Sequence, residues 1–303
     1  MVHILQNAFW RVGILPETGA SIAFGQFLLE GEWQDIFRPT PPNQYHNPSA
    51  TSSFLMLPWA NRILDGHFTF ENKPYQLQIT KDDGTARHGD VRKRAWQVIR
   101  ATEQQVVCEL YSADFADFNF PFAFRAEMTF ELAEHRFEIA VIIQNLSDSN
   151  MPCGFGHHPY FVRPSSDNAP FLQTPCDQYY VLSSTFMPDS APIAITPELD
   201  FRTLRRVDGD NFNHLLTHLD SHQATRIVYP QWQRELRLIV DESFAHMLIF
   251  TPSGEASLAV EPMTIATNGF NLHTQGIENG VWVLAPQATK SGTVVFEIHT
   301  TGE

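Results

Sequence analysis

Apolar and polar residues alternate with a period of two along most of this chain, which is the spacing of half-buried β-strands. The pattern is cleanest in Met128-Thr-Phe-Glu-Leu and Arg136-Phe-Glu-Ile-Ala-Val. It predicts early strands over Phe9 to Leu15, Ser21 to Leu29 and Trp33 to Phe37, followed by a polar, Pro-rich loop from Pro39 to Ser53. A strand pair then falls at Phe68 to Phe70 and Tyr75 to Ile79, after a turn at Asn61 to Gly66. Further strands are expected at Ala95 to Ile99, Gln105 to Tyr111, Phe122 to Leu132 and Phe137 to Ile143. The second half continues at Tyr179 to Leu182, Thr225 to Tyr229, Leu236 to Val240, His246 to Phe250 and Val294 to His299. Only Asp208 to Leu219 suggests a short helix or turn. The expected fold class is all-β, a large antiparallel β-sandwich of two packed sheets. With no Gly/Ser linker and no charge run to divide it, residues 1–303 are expected to form a single domain.

Charge narrows the partners. The formal net charge is −14, a surface that repels phosphate backbones and anionic lipid, so neither nucleic acid nor membrane is expected as a partner. No apolar run reaches the length of a spanning helix, and Met1-Val-His-Ile-Leu-Gln lacks a basic region followed by an apolar one. A cytoplasmic protein is the expectation. The three cysteines, Cys108, Cys153 and Cys176, have no metal-type spacing and read as reduced, packed side chains.

Four stretches are richer in chemistry than their surroundings. Gly154-Phe-Gly-His157-His158-Pro-Tyr160-Phe161 places two adjacent histidines in an aromatic, glycine-flanked strand. Alternation sends them to opposite faces, with His158 and Tyr160 sharing one, so that one histidine is the working residue and the other, His157 or His158, its structural neighbour. Leu57-Pro-Trp-Ala-Asn-Arg62-Ile63 sets an arginine at a turn, and Arg87-His88-Gly89-Asp90 sets a histidine before a glycine. Either, taken alone, is an ordinary turn residue. Leu258-Ala-Val-Glu261-Pro ends an apolar strand on a carboxylate, a residue rarely buried without a partner or a task. A Glu and a His sharing one cleft fit general acid–base chemistry, and an Arg, a second His and aromatic rings suit a polyhydroxylated ligand. Phosphate-loop, nucleophile-elbow and zinc-protease motifs are all missing, and nothing in the pattern requires a metal.

Taken in order, Pro58-Trp-Ala-Asn61-Arg62-Ile63, His88-Gly89, Gly156-His157-His158-Pro159-Tyr160-Phe161 and Val260-Glu261-Pro262 resemble the aldose 1-epimerase (galactose mutarotase) family. The resemblance extends over most of the chain. It implies a twisted β-sandwich holding a small-molecule sugar on the concave face of one sheet, and anomer interconversion without a cofactor. It also implies Glu261 as the base at the anomeric hydroxyl, His158 as the acid at the ring oxygen, and Arg62 and His88 as groups that hold substrate hydroxyls. The family's substrate-binding Asp lies three residues before an aromatic. Here Asp210 stands two before Phe212 and Asp208 four before, and Asp210 is taken as its counterpart. Gly89-Asp90, where galactose-type members tend to have a second Gly, places the chain nearer the divergent epimerase-like proteins.

Three alternatives to a free-aldose epimerase stay open at this point, the third a glycoside hydrolase or lyase on a similar sandwich. A hexose-6-phosphate 1-epimerase needs a cationic cradle, for which Arg87, Arg92, Lys93 and Arg94 are candidates, although such a run is more often a solvated strand edge. A non-catalytic carbohydrate-binding protein has no need of both Glu261 and His158. A glycoside hydrolase on a similar sandwich needs two flanking carboxylates, and these are not evident.

Overall fold

On the strand Tyr160–Val162, Phe161 is fully buried against Phe37 and Phe296, while Tyr160 faces the other way. That single alternation separates the inter-sheet core from the face that carries the polar residues. The computed structural model describes residues 1–164, 168–209 and 212–302. These residues build an all-β antiparallel sandwich. A nine-stranded sheet runs in the order Gln97–Ala101, Gln105–Tyr111, Phe124–Ala133, Arg136–Asn145, Thr289–Thr300, Arg234–Val240, Thr225–Tyr229, Phe171–Gln173 and Arg205–Arg206. An eight-stranded sheet opposes it, ordered Ile193–Ala194, Cys176–Tyr179, Asn213–Leu219, His246–Phe250, Ser257–Met263, Gly156–His157 and Leu55–Met56, with Tyr160–Val162 pairing off Ser257–Met263. A four-stranded sheet from His3–Gln6, Trp10–Leu15, Ser21–Leu29 and Glu32–Asp35 supplies Phe37 at its end.

The core between the layers is aromatic. Ring centroids of Phe37 lie 5.1 Å from Phe161 and 5.2 Å from Phe296, and Phe137 lies 5.8 Å from Phe296. Truncating any of these rings to alanine removes a buried side chain worth about 3–5 kcal/mol. Alternation is strictest in Phe124–Ala133, whose even-numbered residues from Phe124 to Leu132 are buried and paired in full register with Arg136–Asn145.

Several predicted strands coincide with the observed ones, including Ser21–Leu29, Gln105–Tyr111, Thr225–Tyr229 and His246–Phe250. The expected short helix or turn at Asp208 to Leu219 is corrected: Asn213–Leu219 is a strand paired with His246–Phe250. Its polar Asn213, His214, Thr217 and His218 obscured the pattern, and cross-strand pairing decides where local preference is weak. One α-helix occurs among the described residues, the six-residue Gly269–Thr274. No described helix is long and apolar enough to cross a membrane.

Candidate active site

Three neighbouring segments present their alternate residues to one face. Gly156 pairs with both Met56 and Met263, and Tyr160 pairs with Ala259. Strand periodicity then aligns Phe54 and Met56, Gly156, His158 and Tyr160, and Ala259 and Glu261 on the same side. The backbone fixes this register: His158 N–H donates to the Phe54 carbonyl at 3.0 Å, and Tyr160 N–H donates to that of Ser52 at 2.8 Å. A side chain at Gly156 would strike Met263, its Cβ lying 2.6 Å from Cγ, so the glycine allows the strands to close around the site.

His158 and Glu261 meet here. Nε2 of the histidine lies 3.2 Å from Oε1 of the carboxylate, with the residues only 5 % and 1 % exposed. Their other polar atoms, His158 Nδ1 and Glu261 Oε2, have no hydrogen-bond partner among the described residues. Unsatisfied buried polar atoms are rare in folded proteins, and a catalytic role is one of the explanations for them. Burial drives Glu261 well above the carboxylate range, with Arg62 opposing it. Burial, reinforced by the positive charge of Arg92, drives His158 down to about 3. Both groups are pushed toward their neutral forms.

Two turns bring the remaining predicted residues to the pair. Asn61 adopts a left-handed backbone (φ +55°), accepts the His88 N–H at its carbonyl at 2.6 Å, and accepts Arg62 Nη1 at its side-chain oxygen at 2.7 Å. Gly89 (φ +63°) packs its α-carbon against the backbone of Leu57, where a Cβ would lie 1.9 Å from the carbonyl oxygen. The His88 ring is thereby held 5.3 Å from His158, edge to face, with Nδ1 2.9 Å from Met56 Sδ. Burial, then the charge of Arg92, lowers its pKa well below the usual histidine value. Arg62 lies 3.5 Å from Asp83, which also pairs with Arg87, and its guanidinium sits 5.2 Å from the Phe186 ring. Tyr160 packs on His158 at 4.6 Å. Asp210 lies outside the described residues. Its neighbour Gly209 is tied to Arg163 through the carbonyl at 3.0 Å.

His157 takes the opposite face. It is buried beside Phe155 and Phe244, Nε2 has no partner among the described residues, and burial lowers it to about 3. The basic run 87–94 divides. Arg94 is bound to Asp90 and Asp117, and Lys93 leans toward Asp90, whereas Arg92 is 4 % exposed and lies over the Phe54 ring at 5.0 Å. Arg38 was not visible in the sequence as a site residue, because an arginine between Phe37 and Pro39 matches no motif. It sits 3.9 Å from the centre of Tyr160 and pairs with Glu255 at 2.9 Å. Phe54, Met56 and Phe186 were likewise missed: Phe54 and Met56 sit in the short apolar run Phe54-Leu-Met-Leu57, which reads as core, and Phe186 is a lone aromatic in a loop.

A group of potential metal ligands, His135, Glu297 and His299, has ligand atoms within 4.8 Å of one another, but Arg136 already holds Glu297 at 3.2 Å. An open cleft of about 660 Å³ is lined by Gln173, Asp177, Arg202, His218 and Arg226 among others and includes none of the residues around Glu261.

A buried Glu–His pair with flanking donors and aromatic rings thus lies on one face of a large antiparallel sandwich, the kind of group pair that acid–base chemistry uses. The family model for aldose 1-epimerase matches residues 14–297, and the chain belongs to that family. It is 23 % identical to YihR, an uncharacterised protein of Escherichia coli (strain K12), over 92 % of this chain and 88 % of YihR. It is also 23 % identical to the aldose 1-epimerase of the same organism, over 68 % of this chain and 61 % of that protein. In three dimensions it resembles a galactose mutarotase-like protein from Clostridium acetobutylicum, with a TM-score of 0.86 at 18 % identity, covering 98 % of this chain and 95 % of the other.

Proposed function

We propose that this protein is an aldose 1-epimerase, interconverting the α and β anomers of an aldose by ring opening and reclosure, with Glu261 and His158 as the proton-handling pair. The observation that carries the reading is the 3.2 Å approach of His158 Nε2 to Glu261 Oε1 in a buried setting where each group keeps one polar atom without a partner among the described residues. Carboxylate Glu261 takes the proton of the anomeric hydroxyl while imidazolium His158 delivers one to the ring oxygen. The C1–O5 bond breaks, its electron pair stays on O5, and C1–O1 becomes a carbonyl. Rotation about C1–C2 and reclosure with the proton transfers reversed give the other anomer, and the enzyme returns to its starting state. The two groups hold one proton between them, so the working form, with the proton on His158, is a single transfer from the neutral form that the dry pocket favours. Each group is expected to contribute about 10²–10⁴ in rate.

Arg62 and His88 are assigned to substrate hydroxyls, Tyr160 to the sugar's apolar face, and Asp210 to a further hydroxyl. The reading takes residues 1–303 as a single domain. A cytoplasmic location is supported by the three cysteines, all free and buried. Saturation-transfer NMR between the anomeric protons of a panel of hexoses and pentoses tests the function. Enzyme-dependent exchange of at least one sugar is expected, and binding of a sugar with no exchange in any would leave only a carbohydrate-binding role.

A further inference from the structure

We propose that the aldose carries an anionic group at the carbon next to its ring-closing carbon, C6 of a pyranose, and that Arg92 and Arg38 receive it. This rests on the epimerase reading and names the substrate class for the same site.

Charge around the pair is unlike that of the whole molecule. The chain is at −14, yet four guanidiniums, those of Arg38, Arg62, Arg87 and Arg92, act on His158, Glu261 or His88. Three of the four have carboxylate partners: Asp83 serves Arg62 and Arg87, and Glu255 serves Arg38. Arg92 has none within ion-pair distance among the described residues. Asp90, the nearest candidate by sequence, is occupied by Arg94 at 2.5 Å. Arg92 donates Nη1 to Ser49 at 3.2 Å, and its buried Nε has no partner among the described residues. Burial lowers even its guanidinium to about 10. Asp90 acts on Arg92 only at a distance, and a buried charge without a paired, hydrogen-bonded counter-charge is costly, a cost that an anionic ligand offsets. The planar guanidinium fork matches phosphate, sulfate and carboxylate oxygens, whereas a neutral hydroxyl leaves its charge unmet.

Location points to the same part of the sugar. Phe54 and Tyr160 pack on His158 at 4.7 and 4.6 Å, and each carries a guanidinium on its ring, Arg92 on Phe54 and Arg38 on Tyr160. If His158 protonates the ring oxygen, the carbon bonded to that oxygen on the far side from C1 lies beside these rings, and its exocyclic substituent extends toward the guanidiniums. Arg62, which acts on Glu261, belongs to the anomeric end. The arrangement also affects the chemistry. Arg92, Arg38 and Arg87 all oppose a proton on His158, and an anionic substituent placed among them offsets that opposition, favouring the imidazolium that the reaction uses.

Asp90 has a place in this arrangement. Its buried carboxylate accepts Arg94 Nε at 2.8 Å and the Asn119 N–H at 3.3 Å, anchoring the 3₁₀ turn Val91–Lys93 that carries Arg92. Gly19 closes the other side, its N–H donating to the Arg94 carbonyl at 2.9 Å.

The test compares enzyme-dependent mutarotation, above the buffer rate, for glucose and galactose with that for their 6-phosphates, their 6-sulfates and the two uronates. At least one anion class is expected to exceed its neutral parent by about 100-fold in kcat/KM, and the three classes distinguish tetrahedral from planar anions. Arg92→Met is expected to lower that preference at least tenfold, mainly through KM, with Arg92→Lys recovering part of it. Arg38→Gln, on a different segment, is expected to lower the preference as well and serves if Arg92→Met does not fold. Neutral sugars turned over as well as or better than every acidic one would overturn the proposal and leave the epimerase reading intact. No turnover of any sugar would remove both.

Discussion

His158 Nε2 and Glu261 Oε1 lie 3.2 Å apart in a pocket that pushes the histidine down and the carboxylate up, so the pair favours a single proton over a wide pH range. Gain of a second proton sets the acid limb of the pH–rate profile, and loss of the first sets the basic limb. The acid limb of kcat/KM is therefore expected well below the ordinary histidine value of 6.5, toward the value of about 3 to which burial and Arg92 bring His158. Arg92→Met removes an opposing positive charge and should move that limb to higher pH. A limb at 6.5 in the wild type, unmoved by Arg92→Met, would contradict this electrostatic assignment.

Glu261 should also be a stability liability. Its folded pKa is raised above the ordinary carboxylate value of 4.5, so folding is favoured by the protonated form. That contribution is fully present below about 4.5 and is lost as pH rises through the folded pKa. Glu261→Gln removes the loss and is expected to stabilise the protein by about 1–3 kcal/mol at alkaline pH, with little effect near pH 4, while abolishing most turnover. Thermal melts at several pH values check the sign. A variant less stable than wild type at alkaline pH would contradict it.

The opposite slope belongs to His157. It is depressed to about 3 by burial, so stability present above the unfolded value near 6.5 is lost as pH falls toward the folded one. His157→Leu should keep turnover near that of wild type and improve resistance to acid, measured as a smaller drop in melting temperature between pH 7 and pH 4. Loss of turnover in a folded His157→Leu protein would mean that this histidine also serves the reaction.

Sequence and structure agree most where periodicity is strict. The face shared by His158 and Tyr160 followed from alternation alone, and the motif order supplied Glu261 as the partner of His158. Arg92 was visible only as one of four basic residues in a run. Nothing local distinguishes it from Arg94, and what separates them is Asp90, which takes Arg94 and leaves Arg92 beside Phe54. Arg38 reaches the site through a backbone bond between its own N–H and the Tyr160 carbonyl at 2.7 Å, a contact between residues distant in sequence. Asn213–Leu219 was misread for a related reason: its strand character comes from its neighbour in the sheet.

Gly89 is the least replaceable small residue near the site. Gly89→Ala places a Cβ on the Leu57 carbonyl and demands a left-handed backbone of a side chain that resists it. A loss of more than about 2 kcal/mol is expected, together with displacement of His88. Chemical denaturation measures the first, and an increase in KM for the preferred sugar reports the second. A fully stable Gly89→Ala protein with unchanged KM would show that this turn can relax.

Polarimetry on the preferred sugar, starting from one pure anomer, tests the central claim most directly, with the wild-type chain and the Glu261→Gln/His158→Asn double variant run side by side. The wild type is expected to bring the sugar to its anomeric equilibrium far faster than buffer, and the folded double variant to lose at least about 100-fold of that rate. A wild type no faster than buffer with any aldose, or a double variant as fast as the wild type, would contradict the assignment of this pair to anomer interconversion.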